Sequence, residues 1–246
     1  MLDVIAPDLW ASTQVLRLPG GLIFQARMTV IRLPSGGLVL HSPIAIDDAL
    51  AAELATLGEV QEMISPNLMH DGFAVPGKQR YPRARLWASV ALRDADGRSR
   101  STKVPADAWL DASDCEAAFE RVLAVHPIEG APKIGEVVFV HRPSRSLIVS
   151  DLLFHIDYPT NFMTRLALRL VGAHGGRLAQ SRVWRASTRD RSAAGASVEA
   201  IFTDSDVAST HDGPIQRLIP AHGSILEAAS GKYAEFQSAI RDALWW

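Results

Sequence analysis

Residues 136–154 read EVVFVHRPSRSLIVSDLLF, two apolar runs separated by Arg-Pro-Ser-Arg. Short apolar runs on either side of a Pro-Ser turn read as an antiparallel hairpin, with strands Glu136–His141 and Ser146–Ser150. With Arg142–Arg145 as the turn, His141 pairs with Ser146 and Glu136 with Asp151. His141 then lies five residues, or about 17 Å, from Asp151 along the strands, too far to share an ion with it. Asp151 is delivered instead to the end of its strand, at a sheet edge.

The same reading extends outward. Downstream, residues 160–172 and 192–203 have helical spacing, Ile215–Ile219 is strand-like, and Tyr233–Trp245 is a last amphipathic helix. Phe236, Ile240, Leu244 and Trp245 form the apolar face of that helix, which suits packing on the sheets or on a second subunit, so a homodimer stays open. Upstream, the β-prone segments Leu22–Gln25, Met28–Arg32 and Gly37–Leu40 are separated by Leu-Pro-Gly-Gly at 18–21 and Leu-Pro-Ser-Gly-Gly at 33–37, an antiparallel start. A helix over 46–57 closes at Gly58. It is followed by the apolar segment Val60–Ile64, the loop SPNLMHDGF, a short helix near 76–81 and a strand at Arg85–Ala88. Between about Ser89 and Trp109 the chain is polar and broken. Two sets of strands interleaved with helices predict an α/β layered sandwich with loops gathered at one edge.

Composition narrows the function classes. The 246 residues are 48% hydrophobic, with 25 basic and 27 acidic side chains and a net charge of −2. This is too apolar for a disordered chain and too weakly charged for a nucleic-acid-binding domain. The length suits one or two domains, and without repeats or low-complexity tracts a single unit over 1–246 is the expectation. The lone Cys115 can form no internal disulfide and no zinc ribbon. MLDVIAPDLWAS lacks the basic-then-apolar pattern of a leader, and no apolar run approaches the roughly 18 residues needed to span a bilayer. A soluble, cytoplasmic protein with no membrane or nucleic-acid partner is expected.

No phosphate loop, nucleophile elbow, HExxH or CxxC occurs. What remains is a set of His and Asp residues at or just after strand ends: His41, His70 with Asp71, Asp151 and His222. Singly, such residues are more often turn formers or hydrogen-bonded structural groups. Converging, they would suit zinc, iron or manganese, with a coordination position open for water.

At this point the order of segments resembles the metallo-β-lactamase superfamily, and within it a glyoxalase-II-like group. The stretches that carry the resemblance are MTVIRLPSGGLVLHSPI, EMISPNLMHDGF, EVVFVHRPSRSLIVSDLLF and LIPAHGSI, spanning nearly the whole chain. The resemblance implies an αββα sandwich of two mixed sheets. It places Asp151 of SDLLF at the position of a metal-binding aspartate and His222 of PAHG at that of a late histidine ligand. The central THxHxDH motif is degenerate: Pro66 and Leu68 stand where two histidines belong, and His70 and Asp71 replace Asp then His. A third motif histidine also has no counterpart, Ala131 taking its place. The implied site is therefore mononuclear, formed by His70, Asp71, Asp151 and His222, with His41 as a ligand or a group behind one. His126 is undecided, and His155, His174 and His211 read as solvated loop residues.

The activity implied is hydrolysis of small, partly apolar esters, thioesters or lactones by a metal-bound hydroxide, with Asp71 or Asp151 moving the proton. Zinc is the expected metal, with iron and manganese also compatible. A metal-free binding protein using the degenerate cleft is the alternative from another class. A redox iron protein of the same fold is a weaker third.

Overall fold

The computed structural model describes residues 1–94, 104–111, 115–158, 160–203 and 214–244. Among these residues, strands β1 (Asp3–Ala6), β2 (Leu9–Leu18), β3 (Leu22–Arg32), β4 (Leu38–His41), β5 (Val60–Ser65), β6 (Arg85–Ala88) and β7 (Ala108–Trp109) form a seven-stranded sheet in chain order. The first three pairings are antiparallel and the next three parallel. The parallel pairings require crossovers, and α1 (Asp48–Leu57) and α2 (Ala74–Arg80) supply two of them. Asp47 caps α1 by accepting from Leu50 N at 2.8 Å, and the turn at Gly58 ends it.

The second sheet has five strands in the order β12 (Leu226–Glu227), β11 (Arg217–Pro220), β10 (Ser146–Val149), β9 (Val137–His141), β8 (Leu123–Pro127). Its centre is the hairpin β9–β10, with Ser146 opposite His141 as the turn predicts. β11 joins β10 in parallel and so ends at the same edge. The short helix α3 (Val90–Asp94) lies in the crossover from β6 to β7 and α4 (Cys115–Ala118) in the connection between the sheets, while α5 (Phe162–Val171), α6 (Arg182–Ser187) and α7 (Arg191–Thr203) follow β10 and α8 (Tyr233–Ala243) follows β12.

Alternation along the strands explains the layers. Val39, Ile64 and Trp87 of the first sheet meet Phe139, Ile148 and Ile219 of the second in one core between the sheets. Their chain neighbours point the other way: Leu38 and Leu40 pack with Leu50 and Leu54 of α1, and Leu147 and Val149 pack with Trp184, Val198 and Ile240 of the later helices. Residues two apart share a sheet face, so a strand apolar at every position has to be covered on both sides. The result is the four-layer αββα sandwich.

Several boundaries differ from expectation. Leu22–Gln25 and Met28–Arg32 are parts of one eleven-residue strand, because β3 is held by β2 over its whole length. The Leu-Pro-Gly-Gly turn is the end of that β2–β3 hairpin, with Gly20 and Gly21 at φ +78° and +75°. β8 and α6 complete the second half, α6 capped by Ser181, which accepts from Trp184 N. Trp245 and His211 lie outside the described residues.

Candidate metal centre

Three strand ends bring three donors together at one edge of the sandwich. β5 leads into the loop carrying His70, β10 ends two residues before Asp151, and β11 ends two residues before His222. One donor atom from each of His70, Asp151 and His222 lies within 4.8 Å of the other two. His70 Nε2 is 3.3 Å from Asp151 Oδ2, and His222 Nε2 is 3.6 Å from Asp151 Oδ1. The two imidazoles face each other with centroids 5.2 Å apart.

Each donor is held from behind. Asn67 Oδ1 accepts from Met69 N and His70 N, folding the loop over its own side chain, while Asn67 Nδ2 donates to Asp151 Oδ2 at 2.8 Å. Ser42 Oγ lies 2.5 Å from His70 Nδ1. His222 Nδ1 donates to the carbonyl of Gln25 at 2.6 Å. β3 also pins the end of β11: Arg27 N donates to Ala221 O, and the Arg27 guanidinium donates to Pro220 O. Gly223, at φ +103°, lets the chain pass against residue 155, where a Cβ would stand 1.9 Å from the His155 carbonyl oxygen. Phe154 stacks on the His222 ring at 7° and 5.5 Å.

The electrostatics bear on what the cluster can hold. Burial disfavours charge on His70, but Asp151 and then Glu136 and Asp71 outweigh it and raise its pKa. For His222, burial and the neighbouring His70 prevail over Asp151, and the pKa falls. Burial would lift Asp151, yet the two histidines and Asn67 hold it well below the ordinary carboxylate range. A neutral His222 that gives its Nδ1 proton to Gln25 turns a bare Nε2 lone pair toward an ionised carboxylate. A cation between two such electron-rich atoms is favourable, so this donor set fits a metal ion. Nitrogen and carboxylate donors suit zinc, iron or manganese.

Glu136 is the buried counterpart behind Asp151. Its carboxylate accepts from Ser150 N at 2.8 Å, Asp151 N at 3.1 Å and Trp184 Nε1 at 3.2 Å. Burial, then the nearby Asp151, pushes its pKa up.

The remaining predicted residues are elsewhere. Asp71 is not one of the three clustered donors; it is buried, and its carbonyl accepts from Ala74 N at the start of α2. His41 is also outside the cluster: at the end of β4 it points into the inter-sheet core, edge-on to Phe139 at 5.2 Å, with Nε2 buried and without a hydrogen-bond partner. Burial, then His70, lowers its pKa to about 3, so it is a neutral ring. His141 Nδ1 lies 2.7 Å from Ser144 Oγ in the hairpin turn, as expected of a turn-end residue. His126 is in β8. His155 is half-buried: its ring nitrogens lie 3.2 and 3.1 Å from the carbonyls of Ser224 and Gly176, the Nε2 side remaining exposed. His174 Nδ1 is likewise buried. Sequence reasoning passed over Ser42, Asn67, Glu136 and the Gln25 carbonyl. Of these only Asn67 carried a signal, an Asx-turn residue just ahead of the candidate histidine.

A family model described as "Domain of unknown function (DUF4336)" matches residues 7–92. No curated protein matches the chain in sequence. Solved structures similar to the whole chain include several metallo-β-lactamases. DIM-1 exposed to ceftazidime is 14% identical with a TM-score of 0.62, covering 99% of this chain and 97% of its own. The Hirschia baltica enzyme is 14% identical with a TM-score of 0.56, covering 98% and 97%. FIM-1 from Pseudomonas aeruginosa, in a mono-zinc form, is 12% identical with a TM-score of 0.57, covering 99% and 95%. With its two facing sheets, outer helices and end-to-end correspondence to these structures, the protein has the metallo-β-lactamase fold.

Proposed function

We propose that the protein is a metal-dependent hydrolase of small esters, thioesters or lactones, with one metal ion held by His70, Asp151 and His222. The observation that carries this reading is the His222 Nε2 lone pair, fixed by Gln25 and aimed at the ionised Asp151 carboxylate. A divalent cation bound there would polarise a carbonyl and bring a bound water to a pKa of about 7. Zinc is the metal we assign, and the mono-zinc form of FIM-1 is a precedent for a single ion in this fold.

The chain's own residues supply the rest. Asn67 and Glu136 orient Asp151 from two directions, through its carboxylate and its backbone N–H, while Asn67 and the two histidines keep it ionised. Ser42 and Gln25 fix the two imidazole rings. Because Asp151 is committed to the cluster, the proton shuttle is assigned to Asp71, which is outside the three donors but near enough to His70 to raise the pKa of that ring. Pro66 and Leu68, where a second ion's histidines would stand, leave that side apolar, and Met69, half exposed, extends it toward solvent. This lining suits a partly apolar acyl group better than a polyanion.

The test is hydrolysis of aryl ester, acyl thioester and lactone substrates by protein stripped with chelator and then reconstituted with zinc. Turnover that returns with zinc and falls at least about a hundredfold in Asp151→Asn supports the reading. Equal turnover in stripped and reconstituted protein refutes it and leaves the cleft as a metal-free binding site.

A further inference from the structure

Helix α5 carries apolar side chains on two faces. Leu168 is turned inward, packing with Ile156 and Ala173 and against Phe24 of β3. On the other side Phe162, Met163, Leu166 and Leu170 fall within about 100° of one another at 100° per residue. They stay exposed, Phe162 by 67% and Leu170 by 65%. Val183, 49% exposed, lies on α6, which Arg182 ties to the end of α5 by donating from Nη1 to the Leu170 carbonyl. A contiguous apolar stripe of this kind marks a surface that meets something other than water.

Charge indicates what covers it. From Asn161 to Arg191 the chain has seven arginines and a single acidic residue, Asp190, although the whole protein is −2. Arg165 and Arg169 are exposed beside the stripe, and among the described residues neither is in an ion pair. A second copy docked on this face would bring two arginine-rich surfaces together, so like charge opposes self-association. Side chains this exposed stand out from the surface, which suits entry into a deformable headgroup layer better than a preformed protein pocket.

We propose that the outer face of α5 docks the protein on an anionic lipid surface. The four apolar side chains enter the boundary between headgroups and acyl chains, and the flanking arginines meet the headgroup phosphates. This is surface docking: α5 has ten residues, and no helix among the described residues is long and apolar enough to cross a membrane. The same helix is tied to the strand that holds His222, because Thr164 Oγ1 accepts from Ile23 N, two residues before Gln25 on β3.

The experiment is co-sedimentation with vesicles of phosphatidylcholine alone and of phosphatidylcholine mixed with phosphatidylglycerol, at low and high salt. The proposal expects pelleting with the mixed vesicles only, weakened by salt. Binding should drop about 25-fold or more in Arg165→Glu, Arg169→Glu, at about fivefold per arginine lost. It should drop about tenfold or more in Phe162→Ser, Leu166→Ser. Because these side chains are exposed, both variants should keep the wild-type unfolding temperature, which separates lost docking from lost folding. Failure to pellet with mixed vesicles, or pelleting undiminished in either variant, overturns the proposal. A concentration-dependent dimer in sedimentation velocity that Phe162→Ser abolishes would assign the face to a second copy instead. Binding to polyglutamate without binding to vesicles would assign it to an acidic protein.

Discussion

His222 depends on a residue that carries no chemistry. Gly223 occupies a backbone conformation that disfavours any side chain, and its missing Cβ is what allows β11's end to close on His155. Gly223→Ala should cost about 2–4 kcal/mol in urea unfolding and weaken metal binding along with it; an unchanged unfolding midpoint would show that the turn can relax without disturbing His222. His141 offers a separate test of burial. Burial lowers its pKa to about 4 from an ordinary value near 6.5, with Asp8 opposing and Arg217 assisting. Between those two pH values the unfolded chain takes up a proton that the folded chain refuses, so stability falls as the pH drops through the window. From pH 7 to pH 5 this contributes a loss of about 2 kcal/mol. His141→Gln should be less steeply destabilised over that range, and parallel pH profiles for the two proteins would contradict the assignment.

At the scale of elements, the hairpin β9–β10 does two jobs. Its register delivers Asp151 to the edge, and Glu136, at the foot of β9, gathers the backbone after β10 and the indole of α6 around one carboxylate. Glu136→Ala leaves the N–H groups of Ser150 and Asp151 and the Trp184 indole without their acceptor in the interior. It should cost about 3 kcal/mol or more and lower metal affinity. Asp47→Ala, which removes only the cap of α1, should cost about 1 kcal/mol and leave metal affinity unchanged. Calorimetric titration of zinc into both variants distinguishes them.

These elements also show what could be read in advance. The hairpin, α1, β6, α5 and α7 were legible because local signals agree with the fold: apolar runs between turn residues, a capping Asp47, a closing Gly58. β3 was split in reading because its polar middle, around Gln25 and Arg27, breaks the pattern; the full-length pairing with β2 overrides it. β8 and α6 were missed because each is short and is held by partners distant in sequence. In the site, His70, Asp151 and His222 were legible through the segments they end. That Asp71 is not one of the three donors was not, since sequence adjacency to His70 does not make a residue a ligand. The supporting groups are hydrogen-bond partners up to 197 residues away, as for His222 and Gln25, and no local pattern encodes such pairs.

For the molecule as a whole, the two sheets meet in one core while three strand ends converge on one edge, so the site is a property of the sandwich and not of any single motif. The metal ion we propose sits at that edge on His70, Asp151 and His222. Metal content by elemental analysis tests this most directly, on wild-type protein and on the variants His70→Ala, His222→Ala and Asp71→Asn, after loading with zinc and removal of excess. One equivalent is expected in the wild type and in Asp71→Asn, and loss in His70→Ala and His222→Ala. Two equivalents in the wild type, none, or one retained in both histidine variants would contradict it.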